Sequence, residues 1–134
     1  MSLVLDASAL VYASISDDEQ ASALRERLRD ETVHAPHLID AELGNVLRRH
    51  VLREDMKVDH AEKVLREAPS LVDYRYAHTG AIATAAWKLR ENVTFYNAIY
   101  VALATALAVP LMITDGPLTR SPKLPCAIET PGSA

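Results

Sequence analysis

The sequence predicts an α/β fold: a single three-layer domain built on a mostly parallel sheet of four to five strands flanked by helices. Three observations predict it. Short apolar runs of strand length alternate with longer segments in which apolar residues recur at helical spacing. The 134 residues suit one compact domain, taken as 1–130 with a frayed end over 131–134. Apolar residues make up 49% of the chain and charged residues 24%, enough to fill one core with no repeat or low-complexity tract.

The elements follow in order. Residues 3–5 read as a first strand, and Asp6 opens a helix directly behind it. Ser16-Asp17-Asp18-Glu19 has the spacing of a capping box, so a second helix is expected from Ser16 to about Arg29. Residues 32–35 form a second strand. Pro36 then leads into a helix that carries Leu43, Val46, Leu47 and Val51 on one face. Val58, Ala61, Leu65 and Ala68 mark another helix, stopped by Pro69, before a third strand at 70–74 and a helix over 79–90. Residues 97–108 are apolar nearly all round, which is the pattern of a buried helix, and 111–114 and 127–129 complete the sheet.

Composition excludes several classes. Fourteen Lys and Arg against eighteen Asp and Glu give a net charge of −4, which argues against a simple basic nucleic-acid-binding module. It leaves room for a nuclease that neutralises its carboxylates with cations. Cys126 is the single cysteine, so no intrachain disulfide and no cysteine-based zinc site can form, and the cytoplasm is the expected compartment. The first strand is cut by Asp6 and has no basic segment before it, unlike a secretory signal. Residues 92–114 carry no charge, yet Pro110 divides them into a helix and a strand, so a membrane span is not expected.

Asp6 and Asp115 close the first and fourth strands at their carboxyl ends, where ligands bind in open α/β sheets. Glu42 enters from the same edge in the first turns of its helix, and Asn97 starts the helix before the fourth strand. Each has a structural reading too: Asp6, Ser8 or Asn97 as a helix cap, Asp115-Gly116-Pro117 as a turn, Glu42 as a surface charge. Their convergence on one edge favours a site.

Four blocks then match a known family in order along the whole chain. Val4-Leu-Asp6-Ala-Ser8-Ala-Leu-Val, Pro36-His-Leu-Ile-Asp-Ala-Glu42-Leu-Gly-Asn45-Val-Leu, Tyr96-Asn97-Ala-Ile-Tyr100-Val-Ala-Leu-Ala and Ile113-Thr114-Asp115 resemble the successive signatures of PIN domains, specifically VapC-type toxins of bacterial toxin–antitoxin pairs. The resemblance implies a PIN-like domain and a ribonuclease site at Asp6, Glu42, Asn97 and Asp115, with Ser8 and Thr114 as accessory groups. Asp6, Glu42 and Asp115 are the implied ligands of one or two Mg²⁺ or Mn²⁺ ions, hard cations that prefer oxygen donors. Such a cation lowers the pKa of water for in-line attack on a phosphodiester and stabilises the charge that develops. Asn97 departs from the family, which has an acid there; it keeps an oxygen donor but loses the charge.

The implied partners are an RNA substrate, a cognate antitoxin and a second copy of the chain, with no membrane. Arg120 and Lys123, nearest the acids in sequence, are the candidate RNA contacts, whereas Arg48, Arg49 and Arg53 read as a solvated face. His34 and His37 lack a third soft ligand for zinc, and Asp40 is turned away from Glu42 on its helix. Trp87 and most tyrosines read as packing residues. Two further readings stay open: a catalytically silent PIN-like module that binds antitoxin or RNA, and an Asp-dependent phosphohydrolase of small phosphoesters.

Overall fold

A computed structural model describes residues 1–114, 116–121 and 123–132. Five strands, β1 (Ser2–Leu5), β2 (Thr32–Pro36), β3 (Tyr74–Tyr76), β4 (Leu111–Met112) and β5 (Ile128–Glu129), form one sheet in the order β3-β2-β1-β4-β5. Every pairing is parallel. Successive side chains of a strand point to opposite faces, and Leu3, Val4 and Leu5 are all wholly buried, so both faces of β1 are covered. The covering helices are α1 (Ala7–Ile15), α2 (Glu19–Asp30), α3 (Leu38–Leu52), α4 (Val58–Glu67), α5 (Ala81–Trp87), α6 (Phe95–Leu107) and the short α7 (Pro117–Arg120). α6 buries an unbroken run from Ala98 to Ala104, as its all-round apolar sequence requires. Among the described residues, no helix is long and apolar enough to cross a membrane.

The sheet grows from β1 outward through β2 to β3 and then resumes on the other side of β1 with β4. The carboxyl ends of β1 and β4 therefore flank the point where the strand order reverses. Asp6 N–H donates to the Met112 carbonyl (3.1 Å) across that point, which locks the two strand ends together.

Several boundaries differ from expectation. The second helix is capped by Asp18, whose side chain accepts from the Ala21 N–H at 2.8 Å, and not by Ser16, which caps the end of α1 by donating its backbone N–H to the Tyr12 carbonyl. The Tyr12 hydroxyl also bonds Asp18. A carboxylate accepts from N–H groups at least as well as a hydroxyl, so the later start prevails. Asp18→Ala is expected to cost about 1 kcal/mol in urea denaturation, while Ser16→Ala changes stability little; the reverse order would restore the expected capping box. Pro69 initiates a short 3-10 turn at Ala68–Leu71, which delays the third strand to Tyr74–Tyr76. α5 has 7 residues and is shorter than the expected 79–90, because Gly80 (φ 68°) precedes it and turns follow Trp87. On α4, Val64 is buried and Leu65 exposed.

Candidate active site

Asp6 leaves β1 and caps α1. Its Oδ1 accepts from the Ala9 N–H (2.9 Å) and from the Ser8 hydroxyl (2.7 Å). The helix-cap reading and the site reading of Asp6 are thus compatible, since capping fixes the carboxylate at the end of the central strand. Ser8 Oγ in turn accepts from the Thr114 N–H at 3.2 Å, so the hydroxyl bridges the start of α1 to the segment that follows β4. Asp115, next in the chain, lies outside the described residues.

Glu42 comes from α3, about one turn past the helix start, and its Oε1 accepts from the Tyr100 hydroxyl of α6 at 2.5 Å. Tyr100 is 2% exposed. The sequence did not mark it as a site residue, because a tyrosine inside a wholly apolar helix has the pattern of core packing. The signal available was that a buried phenol needs a polar partner.

Asp6, Ser8, Glu42 and Asn97 line one cleft of about 670 Å³, whose walls are α3 and α6 and whose floor is the start of α1. Asn97 sits in the first turn of α6 rather than capping it. Thr94 is the cap, its hydroxyl accepting from the Asn97 N–H at 3.2 Å. The cleft also receives Asn45 and Arg49 from α3 and Tyr96 from α6. Glu42, Asn45 and Arg49 share a face because residues three and seven apart on a helix align. Arg120 and Lys123 are exposed and are not among the described residues that line the cleft.

The electrostatics of the two acids are those of an unneutralised pair. Burial pushes the Asp6 carboxyl up to about 6, and the charge of Glu42 adds to the rise, against the hydrogen bonds of Ser8 and Ala9. Glu42 is raised as well, by burial, with the Tyr100 hydrogen bond opposing. The Tyr100 phenol is held far above its ordinary range, first by burial and then by the neighbouring Glu42 and Asp6 charges, so it serves only as a donor. Among the described residues neither acid has a salt bridge to Lys, Arg or His, and no set of three or more His, Cys, Asp or Glu gathers as a metal site. Two carboxylates with oxygen-bearing neighbours and no cationic side chain against them form a donor set that suits a hard divalent cation.

The remaining candidates are engaged elsewhere. Asp40 pairs with Arg75 (2.6 and 2.9 Å) and ties α3 to β3. His34 Nδ1 bonds the Tyr76 hydroxyl (2.7 Å) and its ring stacks on Tyr74, while His37 is exposed at the start of α3. Trp87 is not a packing residue: it is 59% exposed, with the Arg90 guanidinium 5.1 Å above its ring.

Known proteins share this chain's sequence pattern and fold. The PIN domain family matches residues 3–120. A protein named Ribonuclease VapC1, from Mycobacterium tuberculosis, is 46% identical over 126 residues, covering 94% of this chain and 95% of that one. Among solved structures, VapBC2 from Rickettsia felis, bound to a DNA fragment from its promoter, superposes with a TM-score of 0.72 at 15% identity, covering 97% and 98% of the two chains. VapBC-5 from Mycobacterium tuberculosis, described as a member of the VapBC family of toxin-antitoxin systems, gives 0.60 at 21% identity and covers 96% of each.

Proposed function

The chain belongs to the PIN-domain family, and from that premise we propose that it is the toxin of a type II toxin–antitoxin pair, an endoribonuclease that hydrolyses RNA phosphodiesters with a divalent cation held by Asp6, Glu42 and Asp115. The single observation that carries the reading is the pairing of Asp6 and Glu42, neither with a salt bridge among the described residues, where the strand order reverses. The name and 46% identity of the mycobacterial ribonuclease support the activity, and the toxin-antitoxin description of VapBC-5 supports an antitoxin partner. A homodimer acting in the cytoplasm completes the reading.

When bound, Mg²⁺ or Mn²⁺ supplies Lewis-acid stabilisation of the phosphate and a more acidic water as nucleophile. The chain's own groups supply position. Ser8 and the Ala9 N–H hold the Asp6 carboxylate in one orientation, and Tyr100 does the same for Glu42. Ser8 also couples Asp6 to the backbone at Thr114, so that a shift of either strand end would be felt by both. Glu42 Oε2 has no hydrogen bond among the described residues. Asn97 contributes an amide oxygen at the same cleft and can orient water.

The test is cleavage of total RNA. The wild-type chain is expected to cut in Mn²⁺ and not in EDTA, and Glu42→Gln or Asp115→Asn is expected to abolish both cutting and growth toxicity. Full activity in either variant sinks the site assignment. A second reading, a silent module that acts by binding antitoxin or RNA, is favoured by the neutral Asn97 alone.

A further inference from the structure

The cleft is far larger than an ion needs. A water molecule takes about 30 Å³ of liquid, whereas clefts of about 300–1,000 Å³ hold organic ligands; this one measures about 670 Å³. One turn along α3 from Glu42 it is lined by Asn45 and Val46, and a further turn on by Arg49. One turn back along α6 from Tyr100 it is lined by Tyr96. Tyr96 is 62% exposed and, among the described residues, has no hydrogen bond and no ring contact. Of the other exposed aromatic rings, Trp87 is covered by Arg90, Tyr74 stacks on His34, and Phe95 does not line the cleft. Arg49 is likewise exposed, free of any salt bridge among the described residues, and the one Lys or Arg among them that lines the cleft.

We infer that the part of the cleft beyond the acids is a nucleoside subsite for single-stranded RNA, in which Tyr96 stacks a base against Val46, Asn45 bonds the base edge and Arg49 takes the adjacent phosphate. This rests on the ribonuclease reading and assigns its substrate contacts. A bare aromatic face and an apolar side chain sharing one cleft suit a base that has left its stack, and an amide offers both donors and acceptors to a base edge. The ladder along α3 has the right order. Acid comes first at Glu42, then amide and apolar groups, then cation, the last about 10 Å from Glu42 at 1.5 Å rise per residue. Such a cation attracts the strand at a distance from carboxylates that would repel it when no metal is bound.

The experiment uses a fluorescein-labelled single-stranded RNA of mixed sequence, with binding read by anisotropy in Ca²⁺ and cleavage in Mn²⁺. Tyr96→Ala is expected to raise Kd about tenfold, and Tyr96→Phe to keep wild-type affinity, since stacking needs the ring and not the hydroxyl. Arg49→Gln is expected to weaken binding and reduce the slope of log affinity against log salt by about 0.7, the share of one phosphate on a single strand. Trp87→Ala, which removes an equally exposed ring outside the cleft, serves as the control and is expected to bind as wild type. Mn²⁺ affinity by calorimetry is expected to stay the same in Tyr96→Ala, which separates lost stacking from a disturbed fold. Wild-type affinity in both Tyr96→Ala and Arg49→Gln overturns the subsite and leaves the metal reading standing. A wild-type chain that binds Mn²⁺ but no RNA overturns both the subsite and the ribonuclease reading.

Discussion

Asp6→Asn is expected to stabilise the metal-free protein at neutral pH by roughly 2–3 kcal/mol while eliminating RNA cleavage. The Asp6 carboxyl titrates near 6 in the folded chain, against 3.8 for a free aspartate, chiefly because burial disfavours its charge. An acid whose folded pKa lies above its unfolded value binds more protons when folded. Stability is therefore highest below the unfolded pKa, falls as pH rises through the folded pKa, and levels off above it. A gap of about two units corresponds to roughly 3 kcal/mol at neutral pH. Asparagine removes this charge and keeps the cap, since its oxygen can accept from the Ala9 N–H and the Ser8 hydroxyl as the carboxylate does. Urea denaturation in EDTA checks the sign: the variant should be the more stable at about pH 7.5, and the difference should vanish near about pH 4. A variant less stable than wild type at neutral pH would contradict the account of Asp6 as a buried, unneutralised acid. A function-bearing group that destabilises its own fold is the ordinary trade-off at an active site.

That strain was visible in the sequence only in part. Leu3 to Leu5 ending at Asp6 is a buried strand closed by an acid, and periodicity is enough to place it. Glu42 could be set at the same edge because its helix follows the second strand. Tyr100 could not, since nothing in the chain's order says that α6 crosses beside α3; the pairing exists only after both have packed on the sheet. Arg49 was hidden for the same reason. Its distance of seven residues from Glu42 becomes meaningful once the cleft-facing stripe of α3 is known, whereas Arg120 and Lys123 were chosen by proximity in sequence. At the level of elements the misses were local. Ser16 and Asp18 each offered a cap, and the better acceptor with its tyrosine partner won. Pro69 stopped α4 but also nucleated a turn that displaced the third strand.

The largest expected gain comes from restoring the acid at Asn97. Asn97 lies three residues after the Thr94 cap, in a first turn that carries no acidic residue. Aspartate there complements the helix dipole by about 0.3–1 kcal/mol and resembles the acidic arm of a capping box, so the variant is expected to fold. It also brings a third carboxylate to the cleft of Asp6 and Glu42. Without metal, mutual repulsion should raise the acids further and offset the helix gain at neutral pH. With metal the sign reverses. A unit charge about 4 Å from a divalent cation contributes several kcal/mol at an effective dielectric near 20, and a tenfold gain in affinity needs only about 1.4 kcal/mol. Asn97→Asp is thus expected to bind Mn²⁺ at least about tenfold more tightly by calorimetry, and to melt at a higher temperature than wild type in Mn²⁺ but not in EDTA. Unchanged Mn²⁺ affinity would remove Asn97 from the cation's surroundings. The cleavage rate then separates the two functional readings. A wild-type chain that cuts RNA and is accelerated by the substitution is a working ribonuclease with a weakened cation site. A wild-type chain that is inert until the acid is restored acts by binding, with its nuclease chemistry one carboxylate away.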